Sequence, residues 1–130
     1  AGRRRVSGAA DPTSLGLVEV AARIREGALS SLEVTRAALA AAHREQGRLN
    51  CFIEIDDAGA LQAAAAADAA RARGASLGPL HGVPLAHKDM FDVAGRPIRY
   101  GSRVRGEFVP QVTAAAVARL DAAGAVRIGT

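Results

Sequence analysis

Thr113-Ala114-Ala115-Ala116-Val117-Ala118-Arg119-Leu120-Asp121-Ala122-Ala123-Gly124-Ala125-Val126-Arg127-Ile128 decides the fold class. Thr113 at its head suits a helix N-cap, and Ala116, Val117 and Leu120 share one helical face before Ala123. Gly124 then stops the helix, because glycine accepts the left-handed conformation in which many helices end. Ala125 to Ile128 reads as a strand. Helix, glycine, strand is one half of a crossover unit, which belongs to α/β layer folds. The expected architecture is a mixed β-sheet flanked by helices.

Working upstream, three more helices are expected. Leu17, Val20, Ala21 and Ile24 follow helical spacing after Thr13 or Ser14 as the cap, and Gly27 suits the C-terminal end. Ser30-Ser31-Leu32-Glu33 matches a capping box, in which a hydroxyl satisfies an early amide and a glutamate reaches back. That helix should run to about Gly47, with Val34, Ala38 and Ala41 on one face. Cys51 to Ile55 is a short stretch of strand-favouring residues. A helix from Ala58 to Arg73 follows; its alanine run needs no special role, since alanine has the best helix propensity and a methyl-only surface lets neighbours approach. Gly74 ends it, and Leu80 to Ala86 reads as a buried strand that Pro84 restricts to an edge. Residues 1–12 read as a flexible arm broken by Asp11-Pro12. The chain stops on Gly129-Thr130 straight after a strand, with fewer strand candidates than a sheet normally has, so the sequence is expected to be truncated at its C-terminal side.

Composition excludes several classes. The 130 residues are 49% hydrophobic and 23% charged, a soluble globular balance rather than a disordered or collagenous one. No apolar run approaches the roughly 18 residues of a membrane span. The lone Cys51 rules out an internal disulfide framework and fits a reducing compartment, so a cytoplasmic protein is expected. A net charge of +4 hints only weakly at acidic partners. The single basic block, Arg3-Arg4-Arg5, is too short for a nucleic-acid patch, and four aromatics give no stacking platform, which argues against direct nucleic-acid binding.

The chemistry is concentrated in Gly78-Pro79-Leu80-His81-Gly82-Val83-Pro84-Leu85-Ala86-His87-Lys88-Asp89. Glycines and prolines there impose an unusual backbone path. That path delivers Lys88, the one lysine beside sixteen arginines, directly after an apolar run. Apolar surroundings disfavour an ammonium, so such a lysine can serve as a base, whereas arginine cannot give up its proton. The plainer alternative is a surface lysine paired with Asp89 or Asp92.

This block, continued by Phe91-Asp92-Val93-Ala94-Gly95 and Tyr100-Gly101-Ser102, resembles the N-terminal part of amidase signature enzymes. Asn50-Cys51-Phe52 and the Leu120-to-Gly129 segment resemble the family's flanking motifs, so the resemblance covers roughly residues 14–130. It implies the amidase signature fold, with residues 13–130 as an incomplete N-terminal part. It also implies cleavage of a carboxamide by a nucleophilic serine, a second serine in a cis peptide, and a lysine base that maps onto Lys88, with no metal or organic cofactor. Packing by Val83, Leu85 and Phe91 would favour a neutral Lys88. Both family serines fall in a Gly/Ser-rich stretch beyond Thr130. None of Ser7, Ser14, Ser30, Ser31, Ser76 and Ser102 lies in such a stretch, and Ser102 takes a structural position. These residues alone are therefore expected not to hydrolyse amides. Two alternatives stay open: the A subunit of a tRNA-dependent amidotransferase, performing its glutaminase step, and a non-catalytic interaction module or remnant. The partners implied are a small-molecule amide, and either a second copy of the chain or amidotransferase subunits.

The remaining tempting residues read as structural. His81 and His87 lie six apart with no carboxylate at matching spacing for a metal. His87 is expected to pack or be solvated, His43 to sit on a polar helix face, and Cys51 to be a buried thiol. Asp89 is expected to bind a backbone amide in the following turn in preference to orienting Lys88.

Overall fold

The structure is a computed structural model, and it describes residues 11–105 and 108–130. The Arg3-Arg4-Arg5 block and residues 1–10 of the expected arm lie outside the described residues. At the start of the described chain, Asp11 caps a short 3₁₀ turn, Pro12–Ser14, by accepting from the Thr13 amide at 2.9 Å. Helix α1 (Leu17–Glu26) therefore begins at Gly16, without a side-chain cap, and not at Thr13 or Ser14. Its apolar face buries Val20, Ala21 and Ile24, and Gly27 closes it at a φ of 77°.

Helix α2 (Ser31–Leu49) carries the expected capping box: Ser30 Oγ accepts from the Glu33 amide at 3.0 Å, and Glu33 Oε2 accepts from the Ser30 amide at 3.0 Å. It runs two residues past Gly47 and ends on Asn50 in the left-handed region. Asp68 adds a distant second cap, accepting from the Ser31 and Leu32 amides at 2.8 and 3.0 Å. Helix α3 (Asp57–Ala72) supplies that carboxylate, and Asp56 caps α3 through the Gly59 amide at 2.9 Å. Ala60 and Ala64, one turn apart on α3, are fully buried.

Strand β1 (Pro84–Ala86) pairs in parallel with β2 (Val126–Gly129), and helix α4 (Ala115–Ala122) precedes β2. The 51–55 stretch forms no full strand. Its extended backbone runs antiparallel to the end of β2, with the Asp56 amide donating to the Ile128 carbonyl at 2.9 Å and the Thr130 amide to Glu54 at 3.0 Å. Parallel and antiparallel pairing thus meet on β2, giving the mixed sheet against helices that was expected. Thr113 does not cap α4: its hydroxyl accepts from the Ala94 amide at 3.0 Å, so α4 starts at Ala115. Only Val117 of its expected inner face is buried, with Leu120 half-buried and Ala116 exposed.

Two apolar clusters hold these layers together. Val20, Ala21, Ile24 and Val34 pack on Val83, just before β1. Leu39, Ala60 and Ala64 pack on Val126 and Ile128 of β2. Each cluster ties a strand to helices, and together they fix the strand ends from which the candidate site projects.

Candidate active site

The site is built on the exit of β1. Gly82 has a φ of +72°, its amide donates to Gly124 at 2.8 Å, and its carbonyl accepts from the buried Ser31 hydroxyl at 2.7 Å. At Gly78 a Cβ would lie 2.4 Å from the Ala123 carbonyl oxygen, so this glycine is what lets the turn press against the α4–β2 junction. From there β1 runs out, and Lys88 follows it at the carboxyl end of a parallel strand, where open α/β sheets bind ligands. The Met90 and Phe91 amides both donate to the Lys88 carbonyl, at 2.6 and 3.2 Å, closing a tight turn under the lysine.

Lys88 faces an open concavity of about 760 Å³ whose walls include Phe52, Ile53, Met90 and Tyr100. Its side chain is exposed and forms no ion pair among the described residues, with either Asp89 or Asp92. Of the three residues expected to pack on it, Val83 points into the core beside Ile24, and none of Val83, Leu85 and Phe91 lines the concavity that Lys88 faces. Asp92 instead accepts the Tyr100 hydroxyl, and that carboxylate holds the Tyr100 phenol above its ordinary pKa. Tyr100 itself has a φ of 53°, and the Arg105 guanidinium lies 4.8 Å above its ring. The sequence analysis placed Tyr100 in the Tyr100-Gly101-Ser102 motif but gave it no place in the site.

The neighbours of Lys88 depart from expectation. Among the described residues Asp89 binds no turn amide, the Met90 and Phe91 amides both going to the Lys88 carbonyl, and its Oδ2 is buried without a hydrogen-bond partner. His87 is half-buried, and neither ring nitrogen has a hydrogen-bond partner among the described residues. Burial holds the His87 imidazole below its ordinary pKa, with the Arg127 charge acting the same way and Asp121 opposing. Cys51 is exposed rather than buried, because α2 extends to Leu49 and carries it onto the rim of the concavity. His43 is exposed as expected and pairs with Asp57 at 2.9 Å. His81 bonds the Ala67 carbonyl of α3 at 2.9 Å. No group of three His, Cys, Asp or Glu among the described residues has the geometry to hold a metal ion. Ser102 accepts from the Val104 amide at 3.2 Å in a turn beside Gly101.

Below Lys88, Arg96 joins the loop to the helical layer. It bonds Asp56 at 2.5 Å and lies 3.8 Å from Glu54, and this guanidinium holds the Asp56 carboxyl below its ordinary value. No spacing rule links residues forty apart, so sequence reading gave no signal for it.

Known proteins share this arrangement. A family model described as Amidase matches residues 33–130. The glutamyl-tRNA(Gln) amidotransferase A subunit of Salinispora arenicola is 43% identical over 119 residues, covering 92% of this chain and 24% of that protein. The crystal structure of peptide amidase from Stenotrophomonas maltophilia is 36% identical with a TM-score of 0.78, covering 88% of this chain and 24% of that one. Fatty acid amide hydrolase superposes with a TM-score of 0.82 at 26% identity, covering 94% of this chain and 22% of that one. The chain thus spans about a quarter of the length of the curated relatives it matches. Helices α3 and α4, most of α2, the mixed sheet and the Lys88 turn fall within residues 33–130, and the chain belongs to the amidase family.

Proposed function

We propose that this chain supplies the lysine base of an amide-bond hydrolase acting on a carboxamide, with residues 13–130 as the N-terminal part of an amidase signature domain. The observation that carries this reading is the position of Lys88: the one lysine of the chain, at the carboxyl end of β1, facing an apolar-walled concavity. An acyl group seated against Phe52, Ile53 and Met90 would lie beside the Lys88 side chain, where a base can act on it. In the Ser-cisSer-Lys scheme, neutral Lys88 takes a proton through the bridging serine while the nucleophilic serine attacks the amide carbon. The leaving nitrogen departs with a proton, and water then releases the acid from the acyl-enzyme. Backbone amides would hold the oxyanion. The Gly/Ser-rich stretch that the family resemblance assigns to both serines is not among these 130 residues.

One observation favours a more specific version. The relative at 43% identity is an amidotransferase A subunit, so release of ammonia from glutamine for use by partner subunits is the second reading. Ammonia release from a panel of carboxamides separates the two, using the natural polypeptide that carries these residues. Turnover of simple amides supports the first reading, and turnover confined to glutamine with partner subunits present supports the second. Absence of turnover on every amide, with and without partners, leaves a non-catalytic module.

A further inference from the structure

We propose that Gln46, near the end of α2, is a positioning residue for substrate selection: its side-chain amide stands in for a neighbouring strand along Phe52 and so sets the wall on which the acyl group rests beside Lys88. The selection rests on the reading of Lys88 as the base; the hold on Phe52 does not.

The hold is made at two atoms of one backbone residue. The Phe52 amide donates to Gln46 Oε1 at 2.9 Å, and Gln46 Nε2 donates to the Phe52 carbonyl at 2.8 Å. Between antiparallel strands, one residue exchanges both its N–H and its C=O with the residue opposite. A primary carboxamide carries an acceptor and a donor on one plane, so Gln46 offers Phe52 what such a strand would. The following residues are tied to β2 instead. The Ile53 and Glu54 amides donate to the Thr130 carbonyl at 2.6 and 3.2 Å, and the Thr130 amide donates to the Glu54 carbonyl at 3.0 Å. The segment is thus held by α2 at Phe52 and by β2 at Ile53 and Glu54.

The end of α2 makes that hold firm. Gln46 is half-buried, and its backbone carbonyl accepts from the Asn50 amide at 2.8 Å, the bond that closes the helix. Asn50 then turns the chain at a φ of 47°. The passage from α2 into 51–55 therefore closes on Gln46 twice, through its main chain and through its side chain. Phe52 also packs against the cluster that contains Leu39, Ala60 and Ile128. Core packing holds its ring and Gln46 holds its backbone.

The segment held in this way is a wall of the site. Phe52 and Ile53 line the same concavity as Lys88, whereas Gln46 is not among its lining residues and acts only through them. Ile53 is 64% exposed, so its side chain is available to an acyl group seated there. An apolar wall selects by how closely it meets that group, and a single methylene there is worth about 10–200-fold.

The test uses the natural polypeptide that carries these residues, as wild type, Gln46→Met and Gln46→Glu. Methionine suits a helix and matches the length of glutamine but makes neither bond. Hydrogen exchange reads the hold directly: in Gln46→Met the Phe52 amide should exchange about 5–10-fold faster, the worth of one such bond. Equal protection of that amide in both proteins overturns the hold. Kinetics read the selection, on whichever carboxamide, glutamine included, the wild type turns over best. Gln46→Met should raise KM by about 10-fold, as a displaced pocket wall does, with kcat within about 3-fold because the Lys88 turn is untouched. Gln46→Glu keeps an acceptor for the Phe52 amide but sets a carboxylate against the Phe52 carbonyl, so it should raise KM while that amide stays protected. An unchanged KM in Gln46→Met, or a fall in kcat as large as the rise in KM, overturns the selection, since a general loss of structure lowers both. If Gln46→Met does not fold, a wild-type KM in Gln46→Glu overturns it instead. If the wild type hydrolyses no amide, the base reading falls, and hydrogen exchange still decides the hold on Phe52.

Discussion

Replacing Gly82 by alanine should unfold the approach to β1 from two directions at once. Its φ of +72° lies in the left-handed region, which costs an L-residue about 1–2 kcal/mol. A Cβ there would sit 2.8 Å from Ser31 Cβ and Oγ and 3.3 Å from Ile24 Cγ2. Neither neighbour can step aside, since Ser31 is 0% and Ile24 1% exposed. Overpacking of that kind costs about 1–3 kcal/mol. The sum, about 2–5 kcal/mol, is a large part of the roughly 5–15 kcal/mol that stabilises a domain. Urea denaturation of the wild type and Gly82→Ala reads it as a lower midpoint at unchanged slope. The contributions separate in a Ser31→Gly background, where the two closest crowding atoms are gone, only Ile24 Cγ2 remains at 3.3 Å, and the cost of Gly82→Ala should fall towards the conformational 1–2 kcal/mol or so. A cost below about 0.5 kcal/mol in wild type, or the same cost in both backgrounds, refutes the reasoning.

Two further predictions concern charge and pH. Asp56 caps α3 and bonds Arg96, so Asp56→Ala should cost about 1–2 kcal/mol, with little added by the pair because Arg96 is 43% exposed. Arg96, then the Gly59 amide, lower the folded Asp56 pKa. Its contribution is therefore complete above the ordinary carboxyl value and disappears as pH falls through the folded value; urea midpoints below about pH 4 should converge for wild type and variant. His87 has a folded pKa lowered chiefly by burial, so the unfolded chain takes its proton first. Stability is then complete above about pH 6.5 and declines as pH falls below it, and His87→Gln should flatten that decline; an identical slope in the variant contradicts the burial argument.

What the sequence disclosed was local. The Ser30–Glu33 capping box and the stops at Gly27, Gly74 and Gly124 depend on residues within a few positions, and each was legible. Cap identity failed where another group competed: Thr113 is taken by the distant Ala94 amide, and Asp11 captures the start of the Pro12–Ser14 turn. The 51–55 stretch was readable as extended, but its pairing with Thr130 and Ile128 depends on where α3 and β2 come together. The same limit governs the site. Lys88 stood out through composition and its place after an apolar run. The Tyr100–Asp92 bond and the Arg96–Asp56 link arise from a loop folding back on itself and on α3, which no periodicity encodes.

The central claim is that Lys88 is the base of an amidase, and ammonia release from a carboxamide by the natural polypeptide tests it most directly. Wild type should turn over, while Lys88→Ala and Lys88→Arg should each lose about 10²–10⁴-fold in kcat with unfolding midpoints near wild type, since arginine keeps the charge but cannot surrender the proton. Activity within about tenfold of wild type in either variant, a loss smaller than removal of a general base produces, contradicts the assignment.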